Sequence, residues 1–90
     1  MDKVSTRQLI DDALQVANQL AQKNPSDSTV PIVIEQLLYL KQVYERDGNL
    51  NAIPKGKMTL GVIAAKEYDT TQPDLANLLY KIDWILDHSE

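Results

Sequence analysis

Apolar residues recur at intervals of three and four along almost the whole chain, and no stretch alternates apolar with polar residues for long enough to make a strand. That spacing restricts the chain to an all-α fold, a small antiparallel bundle of four main helices. The first stripe, Ile10, Ala13, Leu14, Ala17, Leu20 and Ala21, widened by Leu9 and Val16, predicts a helix from Ser5 to Lys23, capped by Ser5 or Asp2 and ended by Asn24 and Pro25. Turn formers over Asn24–Val30 give the first connection. A second helix is expected over Pro31–Arg46, with Pro31 at its first position. Its face of Val33, Ile34, Leu37, Leu38, Leu40, Val43 and Tyr44 is broad enough to predict a central place between two neighbours, with Tyr39 and Tyr44 at the core edge. Gly48 then suits the left-handed residue that ends a helix, and Leu50 and Ile53 are expected to pin down the loop of residues 48–57.

The third stripe is Leu60, Ile63, Ala64 and Tyr68, on a helix expected over Lys57–Tyr68. Gly61, Ala64 and Ala65 keep this helix thin. A close neighbour then offsets the cost, roughly 1 kcal/mol, of a glycine in a helix interior. After the turn of residues 69–72, a fourth helix is expected over Pro73–Asp87, with Leu75, Leu78, Leu79, Ile82, Ile85 and Leu86 inward and Tyr80 and Trp84 on its flanks. Thr71 with Asp74 matches a capping box, and Gln72 competes with Thr71 for the cap.

Size and charge narrow the function. Ninety residues read as a single domain, 1–90. A chain of that length buries about 60–65% of its unfolded surface, enough for one core but not for a deep cofactor cavity as well. No run reaches the length of a membrane span and Met1–Asp12 lacks an apolar leader, so a cytoplasmic protein is expected. The net charge of -4 disfavours nucleic acid and anionic membranes and suits a basic protein partner. No cysteine is present to make a disulfide or a thiolate metal site.

No chemistry-bearing constellation stands out, so the chain reads as a non-enzyme without cofactor or metal. Asp11 and Asp12 are adjacent and point about 100° apart on a helix, which suits a solvated face better than a shared substrate atom. Lys55, Gly56 and Lys57 lack the strand and glycine pattern of a phosphate loop, and His88 lies near the C-terminus, where helices fray.

The stretch Thr59, Leu60, Gly61, Ile63, Ala64, Lys66, Glu67, Tyr68 and Asp69, followed by Thr71, Pro73, Asp74 and Leu75, resembles a family of type VI secretion immunity proteins. The resemblance extends to Gln36, Leu37, Tyr39 and Leu40 and to Ile10, Asp11, Ala13 and Leu14, and so covers nearly the whole chain; the loop of residues 48–57 and a shorter C-terminus depart from it. It implies a small helical inhibitor that binds an interbacterial effector toxin with NAD(P)+ glycohydrolase activity and blocks its active site. Within that stretch, Lys66, Glu67, Tyr68, Asp69 and Asp74 are the expected partner contacts, because the turn between the third and fourth helices combines projecting charge with an aromatic anchor. A second class stays open: a helical adaptor or assembly subunit that takes a partner's amphipathic helix in a groove anchored by Tyr39, Tyr68 and Trp84.

Overall fold

A computed structural model of the chain describes residues 5–54 and 58–88. The Lys55–Lys57 stretch and the side chain of His88 lie outside that description. Helix α1 spans Thr6–Lys23, α2 spans Thr29–Asp47, α3 spans Leu60–Ile63 and runs directly into a π-helical turn over Ala64–Tyr68, and α4 spans Pro73–His88. No strand occurs among the described residues.

Helix ends follow local chemistry closely. Ser5 caps α1, its hydroxyl oxygen accepting the Gln8 N–H at 3.0 Å. Gly48 ends α2 at φ 77°, the left-handed conformation glycine adopts without strain, and its N–H donates to the Tyr44 carbonyl at 2.7 Å. Helix α2 begins two residues before Pro31. First-turn N–H groups have no intrahelical acceptor, so a proline there loses no bond, and Asp27 accepts the Thr29 N–H at 2.9 Å. Helix α4 starts at Pro73 with Gln72 in the cap position, while the Thr71 hydroxyl donates to the Glu67 carbonyl and forms no capping box.

One apolar cluster joins all the helices and takes in Leu50 and Ile53 from the loop. The expected central place of α2 is corrected. It is α1 that lies between two neighbours, α2 on one side and α4 on the other, whereas α2 meets α3 only slightly and among the described residues does not approach α4. Of the broad apolar face of α2, Val33, Leu37, Leu40 and Val43 are buried and Ile34 and Tyr44 pack against the core, but Leu38 stays about half exposed, at 49%, as does Ile32 outside that face, at 50%. Periodicity counted Leu38 as core; the packing leaves it at the surface.

The thin third helix has a specific neighbour. A Cβ on Gly61 would lie 2.5 Å from Oδ2 of Asp83 on α4, so any other residue there would displace that carboxylate, which accepts the Gly61 N–H. Gln36 of α2 holds the same helix start, accepting the Thr59 N–H at 3.2 Å and donating to the Thr59 hydroxyl at 2.9 Å. Two side chains from distant helices thus satisfy the first N–H groups around the start of α3, where Thr59 makes no side-chain cap. The π-helical turn completes the fit. In an α-helix, positions four apart drift about 40° around the axis, and the wider i→i+5 turn rotates the row back, so Leu60, Ala64 and Tyr68 all face the core.

Candidate partner-binding surface

One end of the bundle collects the end of α1, the connection into α2 and the turn from Glu67 to Asp74. A hollow of 240 Å³ there is lined by Lys23 and Asn24 on one side and Gln72 and Asp74 on the other. The turn is tied rather than loose: Gln72 N–H donates to the Tyr68 carbonyl at 2.9 Å, the Thr71 hydroxyl to the Glu67 carbonyl at 2.9 Å, and the Tyr80 hydroxyl to Asp69 Oδ1 at 3.0 Å. Burial first, then the bond to Asp69, raises the Tyr80 hydroxyl above its ordinary value.

Four of the five expected contacts project from this turn. Lys66, Glu67, Asp69 and Asp74 are exposed. Tyr68 does not project: only 3% of its surface is accessible, so the expected aromatic anchor is a core residue in this conformation. Burial, with the charges of Asp27 and Glu67 behind it, pushes its hydroxyl up to about 12. The spacing of Leu60, Ala64 and Tyr68 already placed this ring inward, and the stripe, not the neighbouring charges, determined its direction.

The charges at this end have few counter-ions. Asp27, Glu67, Asp69 and Asp74 gather there with only Lys23 and Lys66 of opposite sign, and none of the six belongs to an ion pair among the described residues. Asp27 and Asp74 sit at the starts of α2 and α4, and Asp27 accepts the Thr29 N–H there. Asp27 is the residue sequence reading missed. Its signal as a turn former was legible, but nothing local brings it to a turn some forty residues away.

Residues 5–88 match the Tsi6 family. The chain belongs to that family. Tsi6 proteins are type VI secretion immunity proteins, which protect by binding a cognate effector toxin. No curated protein and no solved structure matches the chain. The match spans all four helices, so the likeness to Tsi6 proteins extends over the whole bundle and is not confined to the Thr59–Leu75 stretch.

Two further features of this Tsi6-family bundle face outward. A shallow groove of 370 Å³ lies between α2 and Met58, lined by Glu35, Gln36, Tyr39 and Met58, with Tyr39 39% exposed. A second of 320 Å³ lies along α1 and α4, lined by Leu9, Lys81, Trp84 and Ile85, with Trp84 61% exposed. Among the described residues no helix is long and apolar enough to cross a membrane, and no cluster of His, Cys, Asp or Glu has the make-up of a metal site.

Proposed function

We propose that this Tsi6-family chain neutralises an NAD(P)+ glycohydrolase effector by seating the acidic end of the bundle over the toxin's active site. The observation that carries this reading is the concentration of carboxylates on the Glu67–Asp74 turn and the neighbouring Asp27 that belong to no ion pair among the described residues. A cleft that binds a dinucleotide needs positive charge and hydrogen-bond donors for its phosphates. An acidic surface is attracted to such a cleft, associates with it quickly and competes with the substrate for the same groups. Lys66, Glu67, Asp69 and Asp74 supply the contact surface, and Tyr68 supports it from beneath.

The test is co-expression with the toxin encoded beside this gene, reading both survival and cellular NAD+. Expected is survival with NAD+ maintained in the presence of the chain and NAD+ loss with death in its absence. Death without NAD+ loss would reject the glycohydrolase assignment; death with or without the chain would reject immunity. A second reading draws support from the exposed Trp84 beside its groove, which suits an amphipathic helix of a partner. Trp84→Ala would then abolish complex formation while Glu67→Lys would not.

A further inference from the structure

Helix α2 packs on α1 along one side and meets α3 only slightly, so its outward side has no helical neighbour among the described residues. That side is not the polar face a surface helix ordinarily turns to water. Of the five large apolar side chains that stay exposed among the described residues, three lie there: Ile32, Leu38 and Tyr39. Single exposed apolar residues are ordinary on a small protein, but these share a side of one helix with a regular spacing. Ile32, Glu35, Tyr39, Gln42 and Arg46 recur every three and four residues, the interval that keeps a row on the seam between two packed helices. All five are exposed. The row is close to symmetric about Tyr39, with an acid about one turn before it and a base about two turns after it.

Charge selects the occupant. Glu35 belongs to no ion pair among the described residues, and Arg46 binds Asp47 through Nε and Nη2, which leaves its Nη1 donors for a further acceptor. A basic cleft would set like charge against Arg46, and an anionic membrane would set it against Glu35. A second copy laid antiparallel answers both signs at once, because each Glu35 then comes within about a turn of the other copy's Arg46.

We propose that the outward side of α2 is a homodimer interface, with two copies packed antiparallel about a twofold axis at Tyr39. Each Tyr39 ring enters the groove that Glu35, Gln36 and Met58 form beside the other copy's Tyr39, and each Ile32 lies along the aliphatic stem of the other Arg46. The apolar side chains supply the affinity. The two Glu35–Arg46 contacts fix direction and register and add little strength. Three large apolar side chains per copy make a small interface, so the dissociation constant is expected on the order of ten micromolar. Lys66, Glu67, Asp69 and Asp74 lie outside this surface, and the dimer presents two acidic ends.

Sedimentation equilibrium of the full chain from about 1 to 200 micromolar tests the interface, the expected mass rising to that of two chains. Tyr39→Ala is expected to weaken the dimer about tenfold or more. Glu35→Arg and Arg46→Glu should each be monomeric alone, since each sets like charges against each other at both ends. Mixed in equal amounts, these two variants should associate one to one, because only their combination restores opposite charges at both ends. A role within a single chain does not produce that rescue. The thermal midpoint of each variant, read at a concentration where the natural chain is monomeric, should stay unchanged because the replaced side chains are exposed. A natural chain that is monomeric throughout would overturn the proposal, as would a dimer that survives Tyr39→Ala, a dimer that Trp84→Ala abolishes instead, or a mixture of the charge variants that does not associate. A monomeric natural chain whose effector binding is lost in Tyr39→Ala would give the face to the effector. None of these outcomes touches the immunity reading, which is tested with the effector present.

Discussion

The face where α1 meets α2 and the end of the bundle at the Glu67–Asp74 turn carry similar numbers of charged groups and treat them in opposite ways. On the first, Lys41 reaches Asp11 at 3.3 Å, Arg7 lies 3.9 Å from Asp11 and 3.7 Å from Glu45, and Arg46 grips Asp47 at 3.0 Å. The bond to Arg46 holds Asp47 below the ordinary carboxylate value. On the second, four carboxylates face two lysines with no ion pair among the described residues. Paired surface charges cancel at a distance and contribute little to affinity for anything else. Unpaired ones project a field that a partner can answer. The comparison separates charge that keeps a helical surface hydrated from charge that is available for recognition.

The strongest way to break this comparison is to reverse charges on each side. Changing Glu67 and Asp69 together to lysine should lower effector affinity about a hundredfold, roughly 2.7 kcal/mol, with the helical circular dichroism signal unchanged. Reversing Arg7 and Glu45 should leave affinity within about threefold; an equal loss at both places would show that the acidic end is not special.

Gly61 sharpens the contrast between a core contact and a surface one. With Asp83 Oδ2 already 2.5 Å from the position of a Cβ, Gly61→Leu should destabilise by about 1–3 kcal/mol in urea unfolding. An unchanged midpoint would mean that the Asp83 side chain moves aside without cost. The Asp83 carboxyl is held above its ordinary value by burial first and by Asp87, with the Gly61 N–H opposing both. Asp83→Ala should cost about 0.5–2 kcal/mol, as the loss of a cap does elsewhere.

Tyr68 gives a test by pH. Its hydroxyl is pushed up to about 12 in the folded chain against an ordinary 10.0, so the folded state holds its proton over a range in which the unfolded state has released it. The stabilisation is complete below pH 10.0 and is lost as pH rises through about 12. Thermal unfolding scans should therefore show a fall in midpoint over that window that is smaller in Tyr68→Phe. The smallest effect is expected on the paired face: Lys41→Ala should change stability by about 0.2–1 kcal/mol, and added salt should shrink the difference.

Most of the architecture was legible locally. The Ser5 cap, the stop at Gly48, the start of α4 at Pro73 and the inward residues of α1 and α4 depend on side chains within about four positions of one another, a distance over which the sequence states the geometry directly. The glycine at 61 was readable as a close approach, though not what approached. The candidate surface was legible in part: Lys66, Glu67, Asp69 and Asp74 project as their positions in the turn suggested, while Tyr68 follows its apolar row into the core.

By itself the sequence determined four amphipathic stretches, their caps and breaks, and the acidic balance of the chain, because period and composition are properties of neighbouring residues. Only the tertiary structure decided that α1 rather than α2 lies between two helices and that Ile32 and Leu38 stay outside. It also decided that Asp83 and Gln36 complete the start of α3, and that Asp11 finds Lys41. An apolar stripe states that a face will be covered but not by which neighbour. Whether a carboxylate is neutralised depends on distances between segments tens of residues apart, which only packing sets.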